Sequence, residues 1–361
     1  MKIINPYNGV NWATVNRVQS LGHGHSHSLN VNQAFKSVKA WYDDGIRHFA
    51  YSNYYPSSPT YPIGNDSLWC RGVTEDNVKY ANWIAENHIT DIIQSPNAEH
   101  HNVKNTSDTI ISRLHINGIG STFSSGNPPN VSPVGCQIPW SDLFDNIIDD
   151  LQYDDAGGIT INHPVWTMAA SSNKLTYAEI IKMLDYDHRV LGIEIYNHTS
   201  ETSESNGWAL DLFDQILKTG RKCWGFAVPD HHFPGYKSGE GSAGRNVLLV
   251  ESKTEYDCLK AYRNGNFYCQ LYNTDLKFSE ISLVGRTLNI NAPYASTITF
   301  VTDRSRKTVS GETASYRIPS SAIYVRAEAT GTIDGVTDQI FSQPIMLGKM
   351  ADPGTDILLL S

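Results

Sequence analysis

The chain has 361 residues, of which 40% are hydrophobic and 18% charged, with a formal net charge of -9. That length exceeds the usual reach of one core and predicts a large domain with a smaller one beside it. The composition excludes a disordered chain. The acidic balance excludes a broad nucleic-acid-binding surface, which needs a basic stripe. An anionic substrate stays compatible, because bound divalent cations reverse the local sign of a site.

The predicted elements alternate strand and helix up to about Gln270. Strands are expected at Val15 to Leu21, Ile46 to Tyr51, Ile89 to Ile93, Ser112 to Ile116, Gly158 to Ile161, Leu191 to Tyr196, Cys223 to Val228 and Val247 to Val250. Between them, helices are expected from Val31 to Asp44, Thr74 to Asn87, Ser141 to Leu151, Thr176 to Leu184, Trp208 to Thr219 and Thr254 to Asn264. Thr176 and Glu179 form a capping-box pattern, and Gly265 is placed to end the last helix. This alternation predicts a parallel α/β sheet, open or closed into a barrel, and a count of about seven strands suits the barrel. From about Asp275 the pattern changes to alternating apolar and polar residues, as in Leu288 to Ile290, Thr297 to Val301, Ala314 to Ile318 and Ile323 to Ala327. That predicts a small antiparallel β-sandwich over residues 275–361, ending in a tail, after a barrel over residues 1–274. The stretches Tyr51 to Arg71 and Ser121 to Pro133 read as long loops near the barrel mouth.

The five cysteines, Cys70, Cys136, Cys223, Cys258 and Cys269, contain no C-x-x-C pair. Neither a disulfide framework nor a thiolate zinc site is indicated, and a reduced compartment is preferred. Met1 to Asn11 lacks a signal peptide's basic start and apolar core. No stretch approaches the roughly 20 apolar residues of a membrane span. The expectation is a soluble protein, cytoplasmic or associated with an assembly or virion, with no membrane partner.

His23-Gly24-His25-Ser26-His27 is the most informative segment. Alternate positions of an extended chain face one side, so such a run aims two or three imidazoles at one point. Metal binding asks for that, and neutral imidazole is the commonest protein ligand. Further candidates fall where the predicted strands end: Glu99, His115, His163, Glu194, Asp230 and His232. Glu194 reads either as a ligand or as an orienting partner of one. Arg245 reads either as a bidentate clamp for an anionic group or as an ordinary arginine. His48, His88, His188 and His198 read as surface or structural residues, and His100, His101 and His231 as pointing away from the candidates beside them.

The ordered set resembles the PHP (polymerase and histidinol phosphatase) superfamily of metal-dependent phosphoesterases over roughly residues 15 to 270. That family carries H-x-H after strand one, T-D-H after strand two, then a glutamate, a histidine, a His-Pro and a D-x-H. Here the matches are His23-Gly-His25 or His25-Ser-His27, then Glu99, His115, His163-Pro164, Asp230 and His232. The T-D-H position departs from the family, reading Ser52-Asn53-Tyr54. The resemblance implies a distorted (β/α)7-type barrel and a reduced site of two divalent ions, zinc, iron or manganese. A histidine pair, Glu99 and Asp230 would hold one ion, and Glu99, His115 and His163 the other. His232 would hold a further ion or act as an acid toward the leaving oxygen. The implied activity is hydrolysis of a phosphate mono- or diester, small or polymeric, by a metal-activated hydroxide. Two other readings compete with it. One is a metal-dependent hydrolase of an uncharged C–N or C–O bond. The other is a surface- or carbohydrate-binding structural protein with a degenerate site.

Overall fold

The computed structural model describes residues 3–25, 38–52, 82, 85–101, 103–104, 110–111, 114–123, 138–167, 174–231 and 243–348. Within them the strand-forming runs become a mixed α/β architecture. β1 (Asn16–Leu21), β2 (His48–Phe49) and β3 (Ile93–Gln94) lie side by side in parallel. β4 (Glu99–His100) follows, then a short hairpin of β5 (Val103–Lys104) and β6 (Ile110–Ile111). β7 (Ile116–Ile119), β8 (Gly158–Ile161), β9 (Val190–Asn197) and β10 (Trp224–Val228) join β4 in a 5-stranded sheet ordered β10-β9-β8-β7-β4. β11 (Arg245–Val250) and β12 (Phe267–Gln270) return to the first sheet, beside β1.

The helices cover these sheets with apolar faces at helical spacing. α1 (Trp140–Asp149) buries Leu143, Phe144, Ile147 and Ile148. α2 (Tyr177–Leu184) begins with the capping box read from the sequence: Glu179 N donates to the Thr176 hydroxyl, and its carboxylate accepts from Thr176 N. α3 (His198–Glu204) is a short helix capped by Asn197, whose side chain accepts from Ser200 N. α4 (Leu210–Lys218) and α5 (Glu255–Asn264) follow, and α5 ends at Gly265 with φ +73°, a conformation that suits glycine. Among the described residues, no helix is long and apolar enough to cross a membrane.

The remaining strands are antiparallel: β13 (Glu280–Val284), β14 (Thr287–Asn291), β15 (Thr297–Thr302), β16 (Arg306–Ser310), β17 (Thr313–Arg317), β18 (Tyr324–Ile333), β19 (Val336–Ser342) and β20 (Ile345–Met346). β13, β14 and β17 form a 3-stranded sheet. The others extend the first sheet, which is 10-stranded and runs β16-β15-β18-β19-β12-β11-β1-β2-β3, with β20 on β18.

The closed seven-stranded barrel expected from the sequence is therefore not formed among the described residues. The α/β strands lie in two open sheets. β1 pairs antiparallel with β11, and β7 pairs antiparallel with both β8 and β4. β12 then passes the ladder on to β19 instead of back into the second sheet. Sequence alternation predicts parallel neighbours well, as at β1-β2-β3 and β8-β9-β10, but carries no information on which edge remains open.

Period-2 alternation lets this long sheet serve two cores at once. Leu248, Val250, Phe267, Cys269 and Phe341 face the α/β core, whereas Val247, Leu249, Tyr268 and Ile340 face the core shared with the 3-stranded sheet. A buried ion pair links the C-terminal strands to a helix of the α/β part. The Arg326 guanidinium on β18 donates to both Asp214 oxygens on α4 at 2.8 Å and to Glu328 at 2.6 Å. Removing one partner of such a pair strands buried charge, at a cost of about 3–5 kcal/mol. Arg326→Ala is expected to lower unfolding free energy by about that amount in urea denaturation. A loss under about 1 kcal/mol would show that the pair contributes no more than a surface contact.

Candidate metal centre

The candidate side chains meet at the seam between the two sheets. His23 and His25 follow β1 on one sheet, while Glu99, Glu194 and Asp230 lie on or just after β4, β9 and β10 of the other. Backbone hydrogen bonds stitch the seam. Asp230 N donates to His23 O at 3.1 Å, His25 N to His231 O at 2.9 Å, and Glu99 N to Ser52 O at 3.1 Å. Asn97 adds side-chain bonds to Gly22 O and Ala50 O at 3.0 and 2.9 Å.

Glu99 is the hub. Its Oε1 lies 3.4 Å from His23 Nε2, 3.1 Å from His115 Nδ1 and 3.3 Å from His163 Nε2, and accepts from Asn162 Nδ2 at 3.1 Å. Its Oε2 lies 3.2 Å from His25 Nε2 and 3.1 Å from His101 Nε2. Asp230 Oδ1 lies 3.1 Å from both His23 Nε2 and His25 Nε2. Two donor groups result, each with ligand atoms within 4.8 Å of one another: His23, His25, Glu99 and Asp230, and Glu99, His115 and His163. All of these residues are buried.

The chemistry of the donors fits divalent cations. His23 Nδ1 is 2.6 Å from Glu194 Oε1, an arrangement that puts the ring proton on Nδ1 and leaves the Nε2 lone pair facing Glu99 and Asp230. That Nε2 is buried and makes no hydrogen bond among the described residues, although two carboxylates are close. Glu194 Oε2 accepts from His163 N at 2.7 Å and from Asn197 Nδ2 at 2.9 Å, and Asn197 also donates to Asp230 Oδ2 at 3.0 Å. Ion pairs from described residues to these three carboxylates come only from imidazoles.

Electrostatics separates the imidazoles. Burial opposes the protonation of His23, but Asp230, Glu99 and Glu194 together outweigh it and raise its pKa well above the usual value. Burial likewise opposes the charge on Glu99, yet the surrounding histidines hold its pKa well below the carboxylate range. His115 is pushed down to about 3, chiefly by burial and then by neighbouring His101, so it stays neutral. Two of the clustered residues carry backbone strain: His163 has φ +25° and Asp230 φ +48°. Side chains rarely adopt that region, and such strain, about 1–3 kcal/mol each, gathers at functional sites.

The structure also separates some residues from the cluster. Arg245, read as a possible anion clamp, is buried with its guanidinium directed to Gln19 Oε1 at 2.7 Å, Asp44 O at 2.9 Å and the Asp44 carboxylate at 2.5 Å. It ties β11 to the end of the helical stretch 38–43, which corrects the clamp alternative: the guanidinium serves the fold. His27, Arg71, Asn53, Tyr54 and His232 lie outside the described residues. His231 packs against Trp41, whose indole nitrogen lies 3.2 Å from its Nε2. His101, set aside from the sequence, faces Glu99 instead. The signal was available: Glu99 and His101 are two apart beside a strand and share a face, whereas intervening His100 turns away and stacks on Phe123. Trp166 covers the edge of the cluster, its ring 5.2 Å from His115 and 4.9 Å from His163.

No protein-family model matches this chain, and no curated protein matches it. A solved structure from Bacteroides vulgatus, described as a two-domain protein containing a predicted PHP-like metal-dependent phosphoesterase, is similar over 88% of this chain and 91% of its own. The two are 14% identical with a TM-score of 0.46, too remote to assign a family.

Because Glu194 orients the His23 ring and holds the backbone N–H of His163, Glu194→Ala is expected to weaken Mn2+ binding by about 10–100-fold, read by competition with a chelator. Unchanged affinity would show that the His23 imidazole does not need that carboxylate to bind metal.

Proposed function

We propose that this protein is a metal-dependent hydrolase of phosphate esters, monoester or diester. The observation that carries the reading is one buried carboxylate, Glu99, shared by two donor groups made of imidazole and carboxylate. In this reading His23, His25, Glu99 and Asp230 hold one divalent ion, and Glu99, His115 and His163 hold a second. Such mixed donors suit zinc, iron or manganese. When bound, a pair of such ions supplies charge neutralisation at a phosphoryl oxygen and a nucleophile competent near neutral pH.

The chain's own residues then have distinct tasks. Glu194 fixes the ring proton of His23, Asn162 orients Glu99, and Asn197 holds Asp230. His232 is proposed as a further ligand or as the acid toward the leaving oxygen. The loops 51–71 and 121–133 are proposed to set specificity, with a small-molecule or polymeric phosphoester as substrate. We propose two domains, residues 1–274 and 275–361, with β12 and β19 sharing a ladder across the division.

One observation favours a second reading. Arg245 is committed to Asp44 and Gln19, so the anion clamp that would mark a phosphate substrate does not come from it. A metal-dependent hydrolase of an uncharged C–N or C–O bond uses the same ligands without such a clamp.

The test is turnover of bis(p-nitrophenyl) phosphate and p-nitrophenyl phosphate by the Mn2+-reconstituted protein. Activity is expected to vanish with a chelator and return with metal. Glu99→Ala is expected to lose metal binding and turnover together, and activity retained in that variant would overturn the assignment. Metal binding without turnover of either ester would favour the second reading.

A further inference from the structure

His101 touches the hub of the cluster without belonging to either donor group. Its ring is buried and stacks on His115 with centroids 3.6 Å apart and planes 3° from parallel. The two parallel rings present one nitrogen to each oxygen of the same carboxylate. His115 Nδ1 lies 3.1 Å from Glu99 Oε1, and His101 Nε2 lies 3.1 Å from Glu99 Oε2. In-plane lone pairs on parallel rings do not converge on one ion. His115 and His163, by contrast, are T-shaped with centroids 4.8 Å apart, and both approach Oε1.

A carboxylate that gives one oxygen to each of two ions keeps a further lone pair on each oxygen. Buried and uncovered, those lone pairs are unfavourable. Asn162 Nδ2 covers Oε1 at 3.1 Å. Nothing read from the sequence covers Oε2. We propose that His101 does so in the metal-loaded protein: its buried Nε2, 3.1 Å from Oε2 but not in hydrogen-bond geometry among the described residues, turns to donate its N–H there, making His101 a positioning residue that holds Glu99 in its shared orientation. Stacking on His115 fixes the plane of the donor, and the two-residue step from Glu99 places both side chains on one face. Asn162 and His101 are then a matched pair, one donor for each oxygen of the shared ligand.

This inference rests on the two-ion reading above, and its test uses metal binding instead of turnover. The full-length protein is stripped of metal and titrated with Mn2+ by calorimetry, as wild type, His101→Ala and His101→Gln. A glutamine amide offers an N–H near the position of Nε2 but is a poor ligand. The expected result is two equivalents bound in all three proteins, with His101→Ala weakening the second by about 10–100-fold. His101→Gln is expected to recover most of that loss. Should His101→Ala fail to fold, His101→Gln decides alone: near-wild-type affinity supports a donor, and affinity weakened as far as about 100-fold overturns it. Wild-type affinity in His101→Ala overturns the role. Loss of a whole equivalent that glutamine does not restore also overturns it, by making His101 a ligand. If the wild type itself binds no Mn2+, the two-ion reading fails together with this one.

Discussion

Glu99, Glu194 and Asp230 are buried together at the seam of two sheets, and burying ionised carboxylates is unfavourable unless a cation or strong donors meet them. Among the described residues they are met by imidazoles, by the amides of Asn162 and Asn197 and by the backbone N–H of His163. An imidazole that answers a carboxylate as a metal ligand is neutral, and the donor chemistry gathered around Glu99 is of the kind that could hold divalent cations. The pKa directions express the same tension: against its burial His23 is raised by Asp230, Glu99 and Glu194, and against its own burial Glu99 is lowered by the histidines around it.

The fold serves that charge cluster by bringing two sheets together at their strand ends. No single sheet supplies all the clustered side chains. His23 and His25 leave β1, and the rest come from the 5-stranded sheet, so backbone bonds such as Asp230 N to His23 O hold the two halves in register. The positive φ of His163 and Asp230 is tolerated where Glu194 and Asn197 grip the same residues. The C-terminal strands contribute from behind: they continue the first sheet through β19 and β12 and give its other face a second core.

Much of the cluster was legible in the sequence because its logic is local. Alternating histidines after a strand, a glutamate after another, and a His-Pro and an Asp after two more are patterns of strand ends, and Gly158 to Ile161 and the Thr176 cap fall where the residues put them. Two of the departures are tertiary in origin, and the third, His101, is local. A closed barrel was expected because alternation reports neighbours, whereas closure depends on long-range pairing such as β12 with β19. Arg245 stayed open between a clamp and an ordinary arginine because its partner Asp44 lies 201 positions away. His101 was passed over although the same two-residue rule applied to His23 and His25 covers Glu99 and His101. The Glu194 role, left open between ligand and support, takes its shape only when His23 Nδ1 is seen 2.6 Å away.

The most direct measurement is elemental analysis of the protein purified without chelator and again after reconstitution. The account predicts about two equivalents of zinc, iron or manganese per chain, matching the two donor groups that share Glu99. No bound metal in either preparation would contradict it, and would leave the buried carboxylates paired with protonated histidines alone.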